Sequence, residues 1–186
     1  MEIQEYKEKI ENVFKSASSL KNSIDAIVPA IKEHLLSNLR LIDEKFVADF
    51  SKGIRGIYFF CCICEKEHMP DLWKKHKSDR TCVSPFNNSH YKQCVPIINP
   101  NTSYPMYIGK SEEIKDRLKE HWYGTNEETT TKSMWLKEFL ECNTDISVKM
   151  SYVDFSTFGA DEYNYFICEE IEKKLRNILH PFIGWQ

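Results

Sequence analysis

The eleven residues Ile54-Arg-Gly-Ile-Tyr-Phe-Phe-Cys-Cys-Ile-Cys64 are apolar or aromatic almost without interruption. So short a run, rich in aromatic and branched side chains, reads as a strand rather than a helix. Because apolar side chains occupy both alternating sets of positions, the strand is expected to be buried at the centre of a sheet. The chain has 186 residues, 41% of them hydrophobic, enough for one well-buried domain and an accessory segment but short for two full domains.

Upstream of this strand the pattern is helical. Ile3, Tyr6, Ile10, Val13, Ala17, Leu20, Ile24, Ile27 and Ile31 recur at alternating three- and four-residue steps, a heptad seam. Pro29 and the Ser16–Ser19 patch interrupt the idea of one rod, and a second stripe runs through Leu35, Leu39, Ile42 and Phe46. Two or three helices ending near residue 50 are expected. They form either a hairpin packed on the main domain or a coiled coil that makes the protein a homodimer.

Residues 65–103 hold four prolines, many Asn and Ser, and scattered Cys and His, so a long insertion separates the first strand from the next. That second strand is Tyr104–Gly109. Ser111 can cap the helix after it, with Glu112 and Glu113 in the favourable first turn. A helix over Lys132–Glu141, a strand over Asp145–Val153 and a long helix over Asp161–Ile178 complete the order. The fold class is α+β: a small three-stranded antiparallel or mixed sheet flanked by helices. Residues 1–50 form a helical extension to the domain at 51–186.

A net charge of −3 argues against a protein that coats nucleic acid by bulk charge, so any phosphate-binding surface must be a local cluster. Two exist, Lys74-Lys-His-Lys77 with Arg80, and Lys110, Lys115, Arg117 and Lys119. Glu2, Glu5, Glu8 and Glu11 break any apolar leader, and no apolar run approaches a membrane span, so a cytoplasmic location is expected. The seven cysteines are then thiols or metal ligands rather than a disulfide framework.

Gly56-Ile-Tyr58 on the first strand and Tyr107-Ile-Gly109 on the second are the two signatures that name the GIY-YIG nuclease superfamily. They stand in the right order, followed by Arg117, a further strand, and a glutamate-bearing helix before Pro181. The chain from 53 to 184 therefore resembles that superfamily. Tyr-Ile-Gly-Lys110 and the Arg117-Leu-Lys-Glu-His121 spacing most resemble its small restriction endonucleases.

The resemblance implies a divalent-metal-dependent endonuclease acting on DNA. It implies that Tyr58 and Tyr107 are the motif tyrosines, one of them helping to activate the attacking water. It further implies that Arg117 binds the scissile phosphate, that His121 and Lys110 are accessory groups, and that Glu172, nine residues before Pro181, binds Mg2+ or Mn2+, with Glu169 in reserve. Two departures stand out: Gly184 occupies the place of a usual asparagine, and the two motif strands are normally joined by a short hairpin.

The residue types suit the chemistry. Phosphodiester hydrolysis needs an activated water, neutralisation of the phosphoryl oxygens and a stabilised leaving group. Mg2+ accepts few protein ligands, so one carboxylate suffices, and arginine offers a planar fork that stays charged. Arg117 and His121, four residues apart, leave one helix face. A phenol with a pKa of about 10 needs neighbouring cations to act as a base, whereas His121 titrates nearer neutrality; either could take the proton.

The stretch between the two motifs contains Cys61, Cys62, Cys64, His68, His76, Cys82, His90 and Cys94. Without a paired CxxC element they read as buried thiols and exposed histidines, a structural Zn2+ being the alternative. Trp73-Lys-Lys-His-Lys77 and Arg80 combine an aromatic with cations suited to DNA. Two other functions fit the sequence: a protein that binds nucleic acid on this fold without cutting, and an interaction protein acting through the N-terminal helices.

Overall fold

The computed structural model describes residues 3–78, 80, 82–97, 103–125, 132–158 and 162–184. In chain order the elements are α1 (Ile3–Ser37), β1 (Arg40–Leu41), α2 (Glu44–Asp49), β2 (Gly56–Ile63), α3 (Met69–Lys77), α4 (Asn88–Gln93), β3 (Ser103–Ser111), α5 (Ile114–Tyr123), α6 (Leu136–Cys142), β4 (Ser147–Asp154) and α7 (Glu162–Leu179). Single 3-10 turns lie at Lys66–His68 and Ser156–Phe158. None of the described helices is long and apolar enough to cross a membrane.

The fold is α+β, with a sheet ordered β1-β4-β2-β3 and every pair antiparallel. The expected count of three strands is corrected to four by β1, which pairs Arg40 with Met150 and Leu41 with Lys149. Two residues carry no readable alternation; where α1 delivers the chain puts them beside β4. β2 is central and buried along almost its whole length, as its composition requires.

Both faces of the sheet are covered. Ile57, Phe59, Cys61 and Ile108 pack against Ile24, Val28, Ile31 and Leu35 of α1 and Ile171, Leu175 and Leu179 of α7. The opposite face carries Tyr58, Phe60, Cys62 and Tyr107, under α2, α3, α5, α6 and the C-terminal residues Phe182 and Ile183. Antiparallel sheets often leave one face to water; here apolar residues at both parities of β2 demand two covers.

α1 runs through Pro29 without a break. A proline inside a helix costs about 3 kcal/mol, and buried anchors on both sides, Ile24 and Val28 before it, Ile31 and Leu35 after it, hold the helix on the sheet and α7. The segment returning from α1 is β1 and α2, so no helical hairpin forms. Upstream of Leu20 the helix leaves the body, and Ile10, Val13 and Phe14 are exposed.

The insertion folds back on the sheet edge. Trp73 is fully buried, its Nε1 donating to the Ser84 carbonyl at 2.9 Å. Ser84 N donates to Ser133 O at 2.8 Å and Ser133 N to Cys82 O at 3.1 Å, so Ser133 forms a bridge beside Val83, and α6 starts at Leu136, later than expected, after Trp135 in the left-handed region. Ile183 N donates to Met106 O at 2.8 Å and Gly184 N to Pro85 O at 2.9 Å. The C-terminal segment therefore lies between the outer edge of β3 and the insertion.

α5 also starts later than its sequence suggests. Glu113, not Ser111, is its N-cap, the carboxylate accepting from Lys115 N at 3.3 Å. Ile114 N donates to the Ile54 carbonyl at 2.8 Å, which ties the helix start to the lead-in of β2.

Candidate active site

The register of β2 and β3 sets Tyr58 opposite Gly109 and Phe60 opposite Tyr107, so both motif tyrosines project from one face. Their rings stack with centroids 6.0 Å apart and planes 22° from parallel. Gly109 is required beneath them. A Cβ there would lie 2.6 Å from Tyr58 Oη and 2.9 Å from Tyr107 Cε1, inside contact distance of both rings.

α5 crosses this face, and its one-turn spacing brings Arg117 and His121 to the same phenol. His121 Nε2 is 3.1 Å from Tyr58 Oη, and the imidazole meets the Tyr107 ring edge-on at 4.8 Å. The imidazole is 0% exposed and its Nδ1 is buried without a hydrogen-bond partner. Arg117 Nη1 donates to Glu120 and Nη2 to the Lys132 carbonyl, leaving the side chain 12% exposed.

Burial pushes the Tyr58 phenol well above its ordinary pKa, and nearby Tyr107 adds to this while Arg117 opposes it. Burial also holds His121 well below the ordinary histidine value, with the Arg117 charge reinforcing it. Burial works against the Arg117 charge too, but the two phenols and Glu120 outweigh it and raise its pKa. The resting cluster is therefore a neutral phenol and a neutral imidazole beside one fixed cation.

Lys110 does not join them. Three residues after Tyr107, it emerges on the opposite face, where its Nζ bonds Glu169 at 2.8 Å and lies 3.7 Å from the Tyr165 ring centre. That pairing also separates the two candidate carboxylates. Glu169 is exposed and bound to Lys110, whereas Glu172 is 16% exposed and bonded through Oε1 to Arg176 Nε at 3.0 Å. Arg176 in turn lies over the Tyr107 ring, so Glu172 is the carboxylate connected to the tyrosine pair.

Arg176 is a member of the site beyond those the motifs name; its one signal in the sequence is its position four residues after Glu172, the spacing of a helical ion pair. A hard divalent cation takes oxygen ligands and keeps most of its water. Glu172 fits it as a single carboxylate on a packed helix. Among the described residues no three His, Cys, Asp or Glu side chains are grouped as metal ligands, so water and substrate oxygens would complete such a shell.

At the end of β2, Cys62 and Cys64 have sulfurs 3.2 Å apart on the tyrosine face, and Cys61 faces the other core. The histidines are spent separately: His68 pairs with Glu65, His76 bonds the Met134 carbonyl and His90 the Pro181 carbonyl. Trp73 is core rather than a stacking platform, because it packs on Phe139 and His76. Arg80 pairs with Glu138 and stacks 5.0 Å from the Trp135 ring centre, leaving Lys74 and Lys75 as the exposed cations of α3. No protein-family model, curated protein or solved structure matches this chain.

Proposed function

We propose that the protein is a divalent-metal-dependent endonuclease of the GIY-YIG kind, hydrolysing phosphodiester bonds in DNA. The observation that carries this reading is the 3.1 Å contact between Tyr58 Oη and His121 Nε2, closed in by Tyr107 and Arg117. A hydrogen-bonded phenol and imidazole beside a fixed guanidinium is a constellation for proton transfer next to a phosphate.

Exposure orders the roles. Tyr58, at 1%, and His121 lie behind, while Tyr107, at 9%, and Arg117 form the accessible rim, so an incoming phosphate meets the rim first. Its negative charge offsets the Arg117 field that depresses His121 and makes the imidazole a better base. Tyr58 then passes its proton to His121 Nε2 as it accepts one from the side of the attacking water. Arg117 turns its fork from Glu120 to the phosphoryl oxygens. Glu172 would hold Mg2+ or Mn2+, which supplies charge neutralisation at the leaving oxygen.

One observation favours a second reading, a nucleic-acid-binding protein that does not cut. Arg117 is already engaged by Glu120 and Lys132, and Glu172 by Arg176, so both must exchange partners before chemistry. Supercoiled plasmid incubated with the protein and Mg2+ separates the two. Nicked or linear product from the wild type, reduced at least about a thousandfold by Glu172→Gln with DNA binding retained, is the expected result. Intact plasmid that the wild type nevertheless retards on a gel selects the second reading.

A further inference from the structure

Glu172 is half of a partly buried ion pair with more than one anchor. Arg176 places Nε 3.0 Å from Glu172 Oε1, Nη2 2.5 Å from the Ile108 carbonyl oxygen and its guanidinium carbon 5.5 Å from the centre of the Tyr107 ring. Ile108 lies on the edge strand β3, and Arg176 continues there the covering that Ile183 provides at Met106.

Gly184 makes room for this guanidinium. A Cβ at that position would lie 3.1 Å from Arg176 Nη1 and 3.3 Å from Tyr107 Cε2, and its φ of +108° disfavours any side chain. Arg176 thus occupies the space that a side chain at 184 would need.

We infer that Arg176 is a positioning residue that serves as the resident cation of Glu172, and that a divalent metal ion binds this carboxylate by displacing it. The inference rests on the proposed function only for the choice of Glu172 as ligand. A guanidinium and a dication on one carboxylate repel each other, so each weakens the other's hold on Glu172. Arg176 can yield without leaving, because the Ile108 carbonyl and the Tyr107 ring still hold it. The exchange keeps Glu172 charge-paired and oriented before the metal arrives, and keeps Tyr107 in place afterwards.

Mn2+ binding to the full-length protein, read by electron paramagnetic resonance of the free ion, tests this. Arg176→Gln removes the competing charge and should tighten Mn2+ about tenfold, the effect of about one log unit from a nearby like charge. Arg176→Lys keeps the charge and should leave affinity within about twofold; Glu172→Gln should abolish binding. A purely structural Arg176 would not tighten the ion. An Arg176→Gln affinity equal to or weaker than wild type, no Mn2+ binding in any form, or binding that survives Glu172→Gln overturns the inference.

The wild type gives an independent reading should a variant fail to fold. Titration with Mg2+ should shift one arginine Nε–H signal in the NMR spectrum, and that shift should vanish in Glu172→Gln; no shift overturns the inference. Plasmid cleavage is scored apart from both. An uncut plasmid with the Mn2+ and NMR responses intact would sink the endonuclease reading and leave this one standing.

Discussion

On the α1 and α7 side of the sheet, β2 and β3 present Ile57, Phe59, Cys61 and Ile108 to an almost wholly aliphatic core. On the α5 side the same two strands present Tyr58, Phe60 and Tyr107 to His121 and Arg117. The first face only removes hydrocarbon from water, at roughly 25 cal/mol per square ångström. The second buries a phenol and an imidazole that satisfy each other at one atom pair and leave His121 Nδ1 without a partner. An unpaired buried polar atom costs about 1–3 kcal/mol. Hydrocarbon would have been the cheaper filling, so the tyrosine face departs from simple packing where a site is expected to.

That contrast can be broken from either side. The largest effect is expected on the tyrosine face, where Arg117→Lys retains charge but loses the planar fork. Single-turnover cleavage should fall about a hundredfold with the urea midpoint little changed. Wild-type turnover would return Arg117 to a purely structural role in holding the Lys132 carbonyl.

Ile108→Ala strikes the opposite face. It should cost about 3 kcal/mol of stability in urea denaturation and, at temperatures where the variant is folded, leave the cleavage rate per folded molecule within a few-fold. A stability loss below about 1 kcal/mol would mean that the aliphatic face is not the tighter core.

A smaller effect concerns acid. The folded pKa of His121 is depressed by burial and by Arg117 below an unfolded value of about 6.5. Below that pH the unfolded chain binds a proton the folded site refuses, so stability present above pH 6.5 declines as pH falls towards the folded value. His76 and His90, also lowered chiefly by burial, act in the same direction. The unfolding free energy of wild type, from urea titrations, should therefore drop more steeply between pH 7 and 5 than that of His121→Gln, by up to about 1.4 kcal/mol per pH unit. Parallel slopes would show that His121 is not held neutral.

The smallest stability effect belongs to the exposed end of α1. Ile10→Lys should change stability by less than about 0.5 kcal/mol, unlike Ile24→Lys, which would drive a charge into the core. Light scattering on the same variant sharpens the contrast: conversion of a wild-type dimer to a monomer is the outcome the heptad spacing predicts, and an unchanged mass removes Ile10 from any seam.

How far the site was legible depends on which periodicity carried it. Tyr58 and Tyr107 sit on strands of strong apolar pattern, and the four-residue step from Arg117 to His121 sets one helix face. Parity alone also puts Lys110 opposite Tyr107, three positions away; its place in the site came from the resemblance, and the structure pairs it with Glu169 instead. Trp73, among lysines, looked like a surface aromatic, but only the packing of α6 and Ser84 against it shows it as core.

By itself the amino-acid order determined a central strand covered on both sides, the heptad stripe of α1, and the shared helix face of Arg117 and His121. Each follows from a local repeat of two or 3.6 residues that needs no knowledge of distant chain. Tertiary structure alone decided that Ile24 is buried while Ile10 in the same stripe is exposed, that Glu172 rather than Glu169 joins the tyrosines, and that β1 exists. A repeat fixes which residues share a face, whereas what covers that face depends on segments more than a hundred residues away, as when Ser151 Oγ donates to the Leu35 carbonyl at 2.6 Å.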